Sequence, residues 1–547
     1  MRKIIETAAQ LPDILISWIT PNVRQFRAGR MQLVWVLAVF VGALVALAAI
    51  AFRTAIGLIQ WPWLRTTTEL TMQAAANQPW WVILLAPAVG GLIVGWILHK
   101  FHPNQRAGAV ADVIEARVHG GRGLPLGAGL WSALVTAISL GSGASAGREG
   151  PVVHLGATLG AAICRFFRLP DTSRRILIAS AVASGVSASF NAPIAGVLFA
   201  HEVVLGHYAV SAFVPIVLAS VMGTLLSRLW FGDVAAFVIP QYEITSYLEI
   251  PAFALLGLTC AAVAILFQFA LIGTDWTARN ITMPLWLRPV IGGLVVGTIG
   301  IFFPGILGVG YDATDMALKH ELTITTMLSL LVVKAAATSI TLASRFGGGI
   351  FSPSLYLGAM TGGAFGLIAA SAFPEMASSH GLYAILGMGA VAAAVLGAPF
   401  STTVIVFELT GGYALSIALL LAVSIATGLT QAVHGKSYFH WQLGMRGCFV
   451  NEGVHQVLSE TVKVGEFMDP PPEAEEDRVF NPGEDGPYLH DTDTLESALK
   501  SFDSCGKASL PVVRKGDAGR IIGVARHVRG LRYFNAALIK ATKEEHR

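Results

Sequence analysis

Arg148 and Glu149 stand side by side in GSGASAGREGP, residues 141–151, and the run 123–147 before them carries no charge. After Pro151 the next Lys or Arg is Arg165. A charge at the centre of a membrane segment costs roughly 2.5–3.5 kcal/mol on insertion scales, so such residues face a water-filled path or a partner. The glycines suit a tightly turned backbone. Pro151 suits the first turn of a helix, where its missing N–H leaves nothing unpaired. The stretch therefore reads as a loop feeding a helix N-terminus, whose free N–H groups and positive dipole end make an anion site. A carboxylate held in an anion site competes with the ion, which is what a gate does. The other reading of the same pair is a buried structural Arg–Glu bridge.

The elements that must hold this pair are membrane helices. The chain has 547 residues, 54% hydrophobic and 13% charged, with a mean hydropathy of +0.63. A soluble domain carries about 25% charged residues. The composition therefore indicates an all-α polytopic membrane protein in a lipid bilayer. A net charge of +3 says little about partners, and no nucleic-acid partner is expected. Cys164, Cys260, Cys448 and Cys505 lie apart without metal-ligand spacing, so neither a disulfide framework nor a metal site is expected, and no cofactor motif is present. The apolar runs hold no HExxH, paired Asp or Ser–His arrangement, which argues against an intramembrane enzyme. Residues 1–30 read as an amphipathic cytoplasmic helix, with Arg24, Arg27 and Arg30 placing the N-terminus inside.

Several apolar runs exceed the length that spans a bilayer, about 20 residues. The runs 176–200, 346–374 and 381–407 contain Asn-Ala-Pro, Gly-Gly or Gly-Ala-Pro breaks. They read as pairs of broken helices, tolerated only where irregular backbone lines a cavity or is buried in protein. A weak repeat runs through them. GREGPVVHLGA (147–157) resembles GGIFSPSLYLGA (348–359), and FNAPIAGVLFAHE (190–202) resembles LGAPFSTTVIVFE (396–408). Pro151 matches Pro353 and Glu202 matches Glu408, in the same order and at nearly one offset. Repeated halves with interrupted helices are a transporter pattern, with the ion site at the repeat interface.

GREGP, FNAP and GIFSP, in that order, resemble the CLC family of chloride channels and chloride/proton exchangers, over residues ~30–447. The resemblance implies a homodimer with one pore per subunit, inverted helical halves, and helix N-termini converging on dehydrated anions. It makes Glu149 the external gate, with Arg148 and the amides of Gly147 and Gly150 forming the outer anion region. The amides of Ile350 and Phe351 would face the central anion, and Phe199 would line the inner vestibule. It also implies a multi-pass protein of a bacterial inner membrane with both termini cytoplasmic.

Three departures bear on mechanism. The family's first anion loop aligns with 107–111, followed by Asp112, so Gly108 takes the place of the selectivity serine. The central tyrosine position falls on Phe439, beside Tyr438. At the internal proton-transfer glutamate stands Val203, after His201 and Glu202. A buried anion that loses a hydroxyl donor loses about 1–3 kcal/mol. Val203 carries no proton. The combination favours a channel or weakly coupled pore gated by Glu149 protonation over a chloride/proton antiporter using His201, Glu202 or water, and the resemblance carries the family's keyword of voltage-gated chloride channel activity. A non-transporting scaffold or sensor is the rival of another class. Glu202, Glu408 and Lys334 read better as structural caps than as ion ligands.

Residues 448–547 are expected to form a cytoplasmic linker and a small α/β domain. VGEFMDP, TLESAL, LPVV and GRIIGV resemble a single CBS unit, giving the order helix, strand, turn at 515–519, strand, helix. Arg526 and Arg529 occupy the places of the family's nucleotide-binding Thr and Asp, which argues against an adenine-nucleotide ligand.

Overall fold

A computed structural model describes residues 30–448 apart from 119–120, 122, 234–243, 245, 375–377 and 411–414. It also describes scattered positions from 16 to 27, and residues 462–471, 486–514 and 521–545. Most of the expected N-terminal helix, residues 472–485 of the linker and the turn at 515–519 lie outside the described residues. The chain forms two compact units, Met1–Gln442 and Leu443–Arg547.

The first unit is helical. Its first series is α1 (Met31–Leu64), α2 (Thr71–Ala76), α3 (Trp80–Phe101), α4 (Val110–Val118), α5 (Leu126–Gly141), α6 (Glu149–Phe166), α7 (Asp171–Phe190), α8 (Pro193–Phe199) and α9 (Val210–Phe231). A π turn, Ala200–Leu205, follows α8. The second series is α10 (Ile250–Asn280), α11 (Leu287–Phe302), α12 (Tyr311–Leu318), α13 (Ile324–Ala343), α14 (Phe351–Ala372), α15 (His380–Leu396), α16 (Pro399–Thr410), α17 (Ser416–His434) and α18 (Tyr438–Gly444). Among the described residues, seven helices are long and apolar enough to cross a membrane. The repeat seen at two motifs extends through the unit: α6–α9 correspond in order to α14–α17, and α3–α5 to α11–α13.

The breaks have a local cause. Asn191 and Gly397 end α7 and α15 in the left-handed region, at φ 57° and 67°. Asn and Gly tolerate that conformation, and an Ala-Pro then starts the next helix in each half. The halves are tied by small residues. A Cβ on Gly91 of α3 would run into the Pro289 carbonyl, and one on Gly293 of α11 into the Pro87 carbonyl, so these helices pack backbone to backbone.

Carboxylates tie the halves a second time. Glu202, after α8, accepts from the amides of Phe400 (3.1 Å) and Ser401 (2.7 Å) and from the Ser401 hydroxyl, at the start of α16. Glu408, in α16, accepts from the amides of Ile194 (3.0 Å) and Ala195 (2.7 Å), at the start of α8. Each half thus supplies the acidic cap for the other's helix, satisfying amides that a helix start leaves unpaired.

The second unit has a three-stranded sheet of β1 (Leu489–His490), β2 (Ser509–Val513) and β3 (Ile521–Arg526), in that order. β1 is parallel to β2, and β2 antiparallel to β3. With α19 (Val464–Phe467), α20 (Leu495–Cys505) and α21 (His527–Glu545) they enclose a core that includes Phe467, Leu495, Phe502 and Val512. The molecule is thus an all-α membrane region followed by a small α/β unit.

Candidate functional site

Two repeat-related loops meet inside the first unit. Gly147 and Gly349 exchange hydrogen bonds, each N–H donating to the other's carbonyl at 2.7 Å. The exchange sets the starts of α6 and α14 side by side. It also occupies the Gly147 amide, which corrects the expectation that this amide binds an anion. The amides of Gly150, Ile350 and Phe351 stand at the two helix starts, where N–H groups have no intrahelical acceptor.

Glu149 lies between them, only 1% exposed. Its Oε1 accepts from the Tyr311 hydroxyl at 2.9 Å and lies 3.6 Å from Arg148 Nε. Its Oε2 has no hydrogen-bond partner among the described residues. That oxygen is 2.9 Å, and the Ser352 amide 3.1 Å, from the point a Gly147 Cβ would occupy. The free oxygen of the carboxylate and the Ser352 amide, in the first turn of α14, therefore flank the same point.

Arg148 is turned elsewhere. Its Nη1 pairs with Glu69, which is bridged to Arg53 at 3.1 Å. Its Nη2 donates to the Ser189 carbonyl at 3.2 Å, and its guanidinium lies over the Tyr311 ring at 5.2 Å. It offers an anion its field more than a hydrogen bond. Phe351 packs against Phe190 and Phe199, with centroids 5.0 and 6.2 Å apart, so an aromatic wall joins the α14 start to the expected vestibule residue Phe199.

Gly108 differs from its expectation. Its amide donates to Ser132 Oγ at 3.0 Å, so it is not open to an anion. The space of the absent serine side chain is not empty either: a Cβ on Gly108 would overlap the imidazole of His154. His154 is buried, and its Nδ1 has no partner among the described residues. Ser132 Oγ also shares a hydrogen bond with His102 Nε2 at 3.0 Å. Asp112 closes the loop, accepting from the Ala109 amide at 2.8 Å and pairing with Arg106 at 2.5 and 2.9 Å. Val110 Cγ2 lies 3.7 Å from the point of a Gly150 Cβ, so α4 starts beside α6.

The remaining candidates lie on other elements. Tyr438 and Phe439 are both buried at the start of α18. The Tyr438 hydroxyl accepts from Gln442 at 3.1 Å, and its ring stacks on Trp441 at 5.9 Å. His201, Glu202 and Val203 share the π turn. His201 Nδ1 bonds the His207 carbonyl at 3.0 Å and its ring stacks on Tyr208 at 5.7 Å. Both oxygens of Glu202 are occupied by the α16 start. Lys334 donates to the carbonyls of Ile306 and Gly308, each at 3.0 Å. The residues that sequence reasoning missed are Tyr311, Glu69, Arg53, Phe190 and His154. His154, on the GREGP helix itself, and Phe190, the first residue of FNAP, carried a positional signal; Tyr311, Glu69 and Arg53 did not.

A family model described as voltage gated chloride channel matches residues 90–431. The chain belongs to the voltage-gated chloride channel, or CLC, family. A ClcB-like protein of Ralstonia nicotianae is 33% identical over 71% of the chain and 91% of its own length. The H(+)/Cl(-) exchange transporter ClcA of Cronobacter sakazakii is 30% identical over 74% of the chain and 87% of its own length. Among solved structures, a slow cyanobacterial Cl-/H+ antiporter superposes with a TM-score of 0.67 at 23% identity, covering 76% of this chain and 97% of that one. That likeness shows a CLC fold. This CLC chain is thus similar both to proteins named as channels and to proteins named as exchangers.

Proposed function

We propose that this chain conducts chloride or a similar small anion along the starts of α6 and α14, and that protonation of Glu149 opens the path. The observation that carries the reading is the buried Glu149 carboxylate, one oxygen without a partner, set close to the α14 start. A charged carboxylate there occupies the place an anion would take. Once neutral, it leaves the backbone donors to the ion. Backbone amides stabilise an anion without a full positive charge that would hold it too long.

Passive conduction is favoured over exchange because Val203 cannot relay a proton and both Glu202 oxygens are engaged as a helix cap. Exchange remains the second reading, favoured by relatives named as H(+)/Cl(-) and Cl-/H+ exchangers. Chloride efflux from proteoliposomes, with pH recorded and voltage clamped by ionophore, tests the two. Chloride efflux without proton movement supports the channel. Uphill proton movement driven by the chloride gradient establishes the antiporter. Absence of any chloride flux overturns both, and moves the weight to another anion or to a scaffold.

The same reading makes the protein a homodimer in a bacterial inner membrane with both termini cytoplasmic. It takes residues 448–547 as linker and single CBS-like unit with a structural role. Arg526 and Arg529 both pair with Asp469, the former at 3.4 Å, which supports no nucleotide site there.

A further inference from the structure

We propose that Tyr311 is a latch on the gate: its phenol O–H holds the Glu149 carboxylate in the closed position and sets the pH at which the path opens. The inference rests on the reading of Glu149 as gate, and it places part of the gate outside the GREGP motif. Tyr311 opens α12, and its hydroxyl donates to Glu149 Oε1 at 2.9 Å from 162 residues away in sequence.

The donor is fixed from behind. Gly310 is in the left-handed region at φ 91°. A Cβ there would meet the Tyr356 ring at 2.8 Å and Lys334 Nζ at 3.2 Å, so the turn into α12 tolerates only glycine without a shift. Lys334 clamps the preceding segment through the Ile306 and Gly308 carbonyls. The Asp312 carboxylate accepts from the Met72 amide at 2.8 Å, which anchors α12 to α2. On its other side the Tyr311 ring is covered by the Arg148 guanidinium. A phenol held on both sides cannot follow a carboxylate that swings away.

The charged and polar groups around Glu149 come from three directions. Arg148 faces it from the same loop, with Glu69 and Arg53 of the α1 side neutralising one another behind Arg148. Tyr311 faces it from α12, with Lys334 and Asp312 behind, each engaged with backbone groups. The first turn of α14 carries the neutral polar side chain of Ser352. Tyr311 is therefore a neutral donor made to the gate itself. A charged carboxylate accepts a hydrogen bond more strongly than the neutral acid does. The latch thus stabilises the closed, charged state, and removing it eases protonation and opening.

The test is chloride efflux from proteoliposomes across a pH series, for wild type, Tyr311→Phe, Glu149→Gln and the double variant. Tyr311→Phe keeps the ring over Arg148, so a role in packing alone leaves the profile in place. The expected result is a midpoint raised by about one pH unit, about tenfold in proton concentration, with no further effect in the Glu149→Gln background. Tyr311→Met, which also lacks the donor, is expected to shift the same way and serves if Tyr311→Phe does not fold. An unchanged or lowered midpoint beside a pH-independent Glu149→Gln overturns the latch and leaves the gate standing. A Glu149→Gln that keeps the wild-type pH response overturns the gate reading itself.

Discussion

Glu149 has two oxygens in different surroundings, one bonded to Tyr311 and one bare toward α14. On the proposed reading, that asymmetry separates a gate from half of a structural bridge, because the bare oxygen would stand in for the ion's charge. The Gly108 loop shows the complementary case. Its missing hydroxyl was legible in the sequence, but its replacement by the His154 ring was not, because only the packing of α4 on α6 brings the two together. Restoring the family's usual residue with Gly108→Ser is therefore expected to harm the protein. The new Cβ must displace the imidazole, and overpacking of this kind costs about 1–3 kcal/mol. A lowered unfolding temperature in detergent and reduced flux, both recovered by adding His154→Ala, would bear this out; a Gly108→Ser protein of full stability would not. Tyr311 and Glu69 were illegible for a related reason. Neither lies in a local pattern, and a lone Tyr or Glu near an apolar run gives no hint of a partner far along the chain.

At the scale of the elements, the broken helices were legible because Asn-Ala-Pro and Gly-Ala-Pro each join a left-handed cap to a proline start. Their purpose becomes clear only in the fold. The breaks free the starts of α8 and α16, and the opposite half's glutamate fills each one. Hydrogen bonds to a charged group contribute about 1.5–3 kcal/mol each, and unpaired buried amides are penalised. Glu202→Ala and Glu408→Ala are each expected to lower the thermal unfolding midpoint, and Glu202→Gln, which keeps one acceptor, to lower it less. If Glu202 is a cap, Glu202→Gln leaves chloride flux and any proton movement at wild-type values. Loss of proton movement in Glu202→Gln, with chloride flux retained, would instead assign Glu202 to a proton route.

Across the whole molecule, the two helical series meet at α3 with α11, at the Gly147–Gly349 exchange and at the crossed glutamate caps. All three contacts join repeat-related residues, so one ancestral set of small, acidic and helix-starting positions serves twice. The sequence showed two of these pairings as motif echoes, whereas the α3–α11 contact rests on scattered glycines without a motif. The proposed homodimer predicts a detergent-corrected particle mass of twice the 57.8 kDa chain by light scattering, and a mass of one chain would contradict it. The central claim is that the Glu149 carboxylate stands in the anion's path. Its most direct test is chloride efflux from proteoliposomes at neutral pH, comparing wild type with Glu149→Gln. A neutral side chain at this position should give faster efflux that no longer changes with pH, whereas efflux equal to wild type and still activated by acid would contradict the claim.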